Sequence, residues 1–367
     1  MSENKHNYDE ISALGCDGTV VNTGYKTGVN RSLELKVGRP MHWFVCLLHA
    51  NELPLRHLVA KLDGKTSGPK GFSGEVGKKL ENCEQKEVID FDPISSELTV
   101  VDRDQLSTDQ QYMYEIHRAV VSGECSPELA RRNPGKMAHS RWLTTANRLL
   151  RLYVSEESPS ENLLLIVNYV VKVYVPAWFS IKVNWNCVDG SQNLFKLIQY
   201  SRNLPAKVVD IVKPVIQNNA FFAHPENILL SMICDSRSFI REIGWRRIKK
   251  CKETEREKSV RIFRVPKLRF EAEDYTNMID WQETLISEPP LTRNMSPEDI
   301  EENIKTKAVF HAPEFPNHTQ AVERCVKLVT EASIAVIGQE KREGFIRNRI
   351  ASRKKMPSFD TKSQFVR

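Results

Sequence analysis

The sequence predicts a mainly α-helical protein with one short parallel βαβ unit near its N-terminus, and two observations carry that reading. From about residue 105 to 260 apolar residues recur at helical spacing, in segments covering 107–121, 140–154, 161–175, 191–200, 206–217 and 226–247. Ahead of them, residues 11–16 and the run "HWFVCLL" (42–48) read as two strands joined by a helix, "TGVNRSLELKVG" (27–38), which Gly38 and Pro40 stop. With 367 residues, 40% hydrophobic and 27% charged, the chain is long enough for a sizeable core and roughly two domains.

Taken in order, the first strand delivers Asp17 into a turn, "GCDGTVVNTG" (15–24). The 42–48 run is apolar at nearly every position, as in a strand buried on both faces. "NELPLRHLVAKLDG" (51–64) resumes helical spacing. The stretch "GKTSGPKGFSGEVGKK" (64–79) looks like a phosphate-binding loop but lacks the Gly-Lys-Ser/Thr ending and a preceding apolar strand. It reads as a linker or a DNA-facing loop. Ser126 with Pro127, and Ser158 with Glu161, mark helix starts. An extended piece, "VRIFRVPKLRF" (260–270), a proline-rich connector (288–297) and two helices near 318–335 and 339–353 complete the chain. The expected divisions are 1–64, a linker over 65–104, a helical region over 105–310, C-terminal helices over 311–355 and a basic tail over 356–367.

Several classes are disfavoured. The polar start, "MSENKHNYDE", lacks the apolar core of a secretory signal. "NLLLIVNYVVKVYVPAWFSI" (162–181) approaches spanning length but holds Asn168, Lys172 and Pro176. A central Lys costs about 2.5–3.5 kcal/mol on insertion, so a buried core helix is expected and no membrane partner. The eight cysteines include no Cys-x-x-Cys pair, which suits a reducing nucleus or cytoplasm. Positive charge is local: 241–270 carries a net +8 and 340–367 a net +6, so the rest of this +6 chain sums to −8. Such zones suit a polyanion or a nuclear import signal; the alternative is a solvated helix face, especially where "EREK" mixes the signs.

Four stretches can carry chemistry. Asp17 ends a strand, and Cys46 and His49 form Cys-x-x-His at the end of the next strand, in "WFVCLLHANELPLRHL". "HSRWLTTANRLLRLY" (139–153) places Arg141 and Trp142 at a helix start, with Arg148 and Arg151 further along. "HTQAVERCVKLVTEAS" (318–333) puts Glu323 in a helix. This order resembles the RNase H-like catalytic core of hAT-like cut-and-paste DNA transposases. In that family the second catalytic Asp ends a strand, a Cys-x-x-His follows, a large all-helical insertion carries an Arg-Trp pair, and a "VER"-type helix brings the catalytic Glu.

The resemblance implies a remnant βαβ of a truncated RNase H-like core plus a helical insertion, with Asp17 and Glu323 as catalytic and metal-binding carboxylates. It implies Mg²⁺ or Mn²⁺, held by three carboxylates for phosphodiester cleavage. The family's first Asp has no counterpart, so the expectation is an N-terminally truncated, catalytically incomplete protein with weak DNA binding, or a partial version of a longer active one. Arg141, Trp142, Arg148 and Arg151 would be the DNA contacts. A homo-oligomer is allowed, and no small-molecule substrate is expected.

Each residue also has a plain structural reading. Asp17 before Gly can simply start a turn. Glu323 stands four residues before Lys327, a stabilising helical pair, although it borders the apolar stripe of Val322, Cys325, Val326 and Val329. Cys46 and His49 can be core residues, or half of a structural zinc site completed by His311 and His318. Trp142 can be a core anchor. The alternative function is a non-catalytic helical interaction or regulatory protein.

Overall fold

Strands β1 (Ala13–Cys16) and β2 (His42–Val45) pair in parallel, from Ala13 opposite His42 to Cys16 opposite Val45. Between them lie a single-turn helix α1 (Val20–Thr23) and α2 (Val29–Val37), so the expected βαβ unit is present. Gly38 ends α2 at φ +74°, a left-handed position where glycine avoids the Cβ clash. Glu34 turns inward from α2, and its carboxylate accepts from the Met41 backbone N–H (2.9 Å) and Trp43 Nε1 (3.1 Å), pinning the helix to β2. The computed structural model describes residues 11–318 except 25, 68–70, 138–141, 219–223, 255–265 and 285, together with 338–340, 343–344 and 351.

β2 is shorter than the apolar run that announced it. Helix α3 (Leu47–Leu62) begins inside that run, so Cys46 lies at the strand-to-helix junction and His49 in the first helical turn. Both the strand and the helix start are buried, and a fully buried run carries no periodicity to separate them.

The 65–104 region is not a linker. A small hairpin, β3 (Thr66–Ser67) with β4 (Gly71–Phe72), leads into α4 (Glu75–Lys79). Asp63 places its carboxylate on the backbone N–H groups of Val76 (2.8 Å) and Gly77 (2.6 Å). The helix start that looked able to cradle phosphate is thus filled by the chain's own anion. Residues 86–102 then run as an extended strap over the helices, donating from Ile89 N to Val154 O (3.1 Å), Ile94 N to Val120 O (3.1 Å) and Ser96 Oγ to Val171 O (2.8 Å). Helix α4 and the strap correct the reading of a linker.

The helical body follows: α5 (Thr108–Ser122), α6 (Pro127–Arg131), α7 (Trp142–Tyr153), α8 (Glu161–Tyr169), α9 (Val175–Val183), α10 (Gly190–Arg202), α11 (Ala206–Asn218), α12 (Pro225–Ile233), α13 (Ser238–Thr254) and α14 (Pro297–Thr306). A π-turn, Val170–Tyr174, joins α8 to α9 into one helix. It is long and apolar enough to cross a bilayer, but 78% of its most apolar window is buried in protein, so it is the core helix expected. Its N-cap is Ser160, two residues later than the Ser158 expected, with Ser160 Oγ accepting from Leu163 N. The 226–247 segment is two helices. Asp235 sits at the break, accepting from Arg237 and from the Tyr275 hydroxyl (2.6 Å), which fixes the corner. One continuous apolar core runs from Phe44 through Trp178 to Ile304, joining the βαβ unit to the helices.

Candidate functional site

Asp17 follows the last residue of β1 directly. Its Oδ1 accepts from Thr19 N (3.2 Å), Thr19 Oγ1 (2.6 Å) and Asn22 Nδ2 (2.6 Å). This is an Asx-type turn that starts α1, so the plain structural reading of Asp17 is realised. Among the described residues Oδ2 takes no hydrogen bond and stays available. Thr19 and Asn22 were missed in the sequence, although Asp followed two positions later by Thr is a turn signature.

The parallel register brings the next strand end alongside. Cys46 N donates to Cys16 O (2.8 Å), and His49 packs on the turn so closely that a methyl group at Gly18 would lie 3.2 Å from its Cδ2. Burial pushes the Asp17 carboxyl up, but the hydrogen bonds from Thr19 and Asn22, helped by His49, outweigh it and leave Asp17 below the usual carboxylate range. Burial pushes His49 down; Asp17 pulls it up and Arg56 pushes it down, with a net lowering. At neutral pH an ionised carboxylate therefore faces a neutral imidazole. One helical turn on, burial raises the Glu52 carboxyl to about 7 against the pull of Arg56. Sequence reading had not singled out Glu52.

A third segment reaches the same place. Leu47 N donates to Asn317 O (2.9 Å) at the start of α3, and Phe315 stacks on Phe44 with ring centroids 5.3 Å apart. Asn317 Nδ2 anchors the segment to the carbonyls of Asn184 (2.7 Å) and Asn186 (3.0 Å). Glu323 and Arg141 lie outside the described residues.

The implied Mg²⁺ or Mn²⁺ is not met by these groups. Among the described residues no three His, Cys, Asp or Glu side chains are gathered to hold a metal, and Asp17 is the one carboxylate of the expected set within them. Cys46, His49, His311 and His318 likewise form no such cluster, and His311 is exposed. A zinc site needs four closely held donors.

The proposed DNA contacts on α7 need correction. Every residue of α7 is buried. Trp142 is 3% exposed, with its ring edge-on to Phe72 at 6.4 Å, and cannot stack on a base. Arg148, 5% exposed, donates to Gly135 O (2.8 Å), Leu80 O (2.9 Å) and the Glu84 carboxylate (3.0 Å). Arg151, 1% exposed, donates to Ala130 O (3.1 Å) and Lys86 O (2.6 Å). Both are internal clamps: Arg148 ties α7 to the segment at Leu80–Glu84, and Arg151 ties it to the start of the strap at Lys86. The basic helix α13 is largely neutralised: Arg246 pairs with Glu242 (2.9 Å), Lys252 with Glu288 (2.6 Å), and Lys249 with Glu301. Compared with protein-family models, curated proteins and solved structures, the chain gives no match.

Proposed function

We propose that the chain is a transposase-like protein that binds DNA and that its remnant RNase H-like site lies where β1 and β2 end. The supporting observation is the meeting of three distant segments there: Asp17, the Cys46–His49 junction, and the returning chain at Asn317, joined by the Cys46–Cys16 and Leu47–Asn317 hydrogen bonds. Glu323 stands five positions beyond His318, and five residues of chain reach at most about 18 Å. Glu323, the second carboxylate of the resemblance, itself lies outside the described residues. No cleavage step is assigned, because the described residues supply one of the needed carboxylates.

Fluorescence anisotropy with a labelled duplex and a labelled single strand, from 50 to 200 mM salt, tests the reading. Phosphate contacts release counterions, so genuine binding weakens steeply over that range. Absence of binding at micromolar protein and 50 mM salt rejects it. That result would favour the second reading, a helical interaction protein, for which the burial of Arg148 and Arg151 and the ion pairs of α13 speak.

A further inference from the structure

We propose that the outer face of α3 is a phosphate track, along which a nucleic-acid strand runs toward the Asp17–His49 junction. This rests on the DNA-binding reading above and gives it a location, now that the α7 residues lie inside the body.

The track begins beside the junction. Arg56 is exposed on α3 and acts electrostatically on both His49 and Glu52. From there a groove of about 690 Å³ opens between α3 and α11. Leu53, Ala60, Ile211 and Val215 form its floor. His57, Lys61 and Lys65 stand along the α3 side, facing a single acid, Asp210.

The charge of this ridge is uncompensated. Among the described residues none of the cations Arg56, Lys61 and Lys65 has an ion pair, and all three are exposed. The contrast is α13, where the Lys and Arg side chains named above are held by Glu242, Glu288 and Glu301. A row of exposed cations costs self-repulsion and gains nothing internally; an anion with regular charge spacing relieves it. The five positions from Arg56 to Lys61 cover about 7.5 Å at helical rise, roughly two phosphates at an axial spacing of about 3.4 Å per strand, and Lys65 follows beyond the end of α3. Among the described residues the groove lining holds no Phe, Tyr or Trp, and the proposed contacts are to the backbone phosphates.

The test uses the full chain, the two labelled DNAs above, a double variant Lys61→Glu/Lys65→Glu, and a control Arg246→Glu/Lys249→Glu on α13. Lys61, Lys65 and Arg246 are exposed and Lys249 is half-buried, and circular dichroism with thermal melting verifies folding. The track variant should weaken binding at least tenfold at 50 mM salt and flatten the slope of log affinity against log salt by about 1–2. The control should bind within about twofold of the parent. Parent-like binding by the track variant, with loss in the control, overturns the track and leaves DNA binding standing. No binding by the parent removes both. Displacement of the DNA by poly-glutamate at equal charge concentration would mark the ridge as an acidic-peptide surface and also overturn the proposal.

Discussion

Asp17 and His49, 32 positions apart in sequence, sit side by side where the two parallel strands end, each shifting the other's titration. The contact follows from the register: once Cys16 pairs with Val45, the Asp17 turn and the first turn of α3 have nowhere else to go. Replacing Gly18 by Ala would press a methyl group against the His49 ring. Gly18→Ala is expected to cost about 1 kcal/mol and to move the His49 titration, which its imidazole NMR resonances would report. An unchanged His49 titration with unchanged stability would break the proposed contact.

Arg148 supplies a stability prediction. Its guanidinium satisfies two carbonyls and the Glu84 carboxylate inside the body. Arg148→Ala leaves those acceptors unpaired and should cost about 3–5 kcal/mol in urea unfolding. If Arg148 instead met phosphates, the variant would fold normally and lose DNA affinity alone.

These arginines also show where the sequence stops being legible. Positive charges on a helix normally mean an exposed face, and nothing local reveals that every residue of α7 is covered. The partners that absorb Arg148 lie at Leu80 and Glu84, more than sixty residues upstream, in a stretch without periodicity that read as linker. The βαβ unit was legible because Gly38 and Pro40 punctuate it and the strands are apolar; the junction at Cys46 was not, because burial removed the pattern. The core helix around Trp178 was legible from its apolar length, but its π-turn was not. Asp17 was identified as a strand-end acid; its turn partners Thr19 and Asn22, and the exposed cations of α3, were overlooked.

Stability should depend on pH through two groups acting in opposite senses, the buried His117 and the half-buried Glu52. His117 is fully buried, and burial lowers it to about 4 although Val171 O pulls it up. A lowered imidazole binds fewer protons folded than unfolded, so its contribution is present above about 6.5 and is lost as pH falls toward 4. Glu52 is raised to about 7 by burial, so the folded state binds the extra proton, and its contribution is lost as pH rises from about 4.5 to 7. Glu52→Gln should therefore raise stability at pH 8 by about 2 kcal/mol and have little effect at pH 4. A melting series from pH 4 to 8 checks this; equal effects at both ends would refute the Glu52 assignment.

The last prediction concerns the site as a catalyst. Two-metal cleavage needs cations that clamp both the attacking and the leaving oxygen, and this requires several carboxylates fixed close together. Among the described residues no three His, Cys, Asp or Glu side chains gather to hold a metal, and Asp17, the one carboxylate of the proposed set within them, has one oxygen already committed to Thr19 and Asn22. Glu323 is the second carboxylate that the resemblance implies and lies outside the described residues. Two carboxylates without a third would leave the cations loosely placed, and positioning is what such chemistry depends on. Purified protein is therefore expected to bind DNA without nicking or joining hairpin and linear substrates in Mg²⁺ or Mn²⁺. A second measurement separates absence of a site from absence of chemistry: if Glu323 belongs to the site, spin labels at the exposed Val21 and at Glu323, in a cysteine-free background, should lie as close as carboxylates sharing cations about 3.5–4 Å apart require, once label length is added. A distance near 40 Å would remove Glu323 from the site. Cleavage that disappears in Asp17→Asn would instead establish a complete site and require a third carboxylate beyond those named.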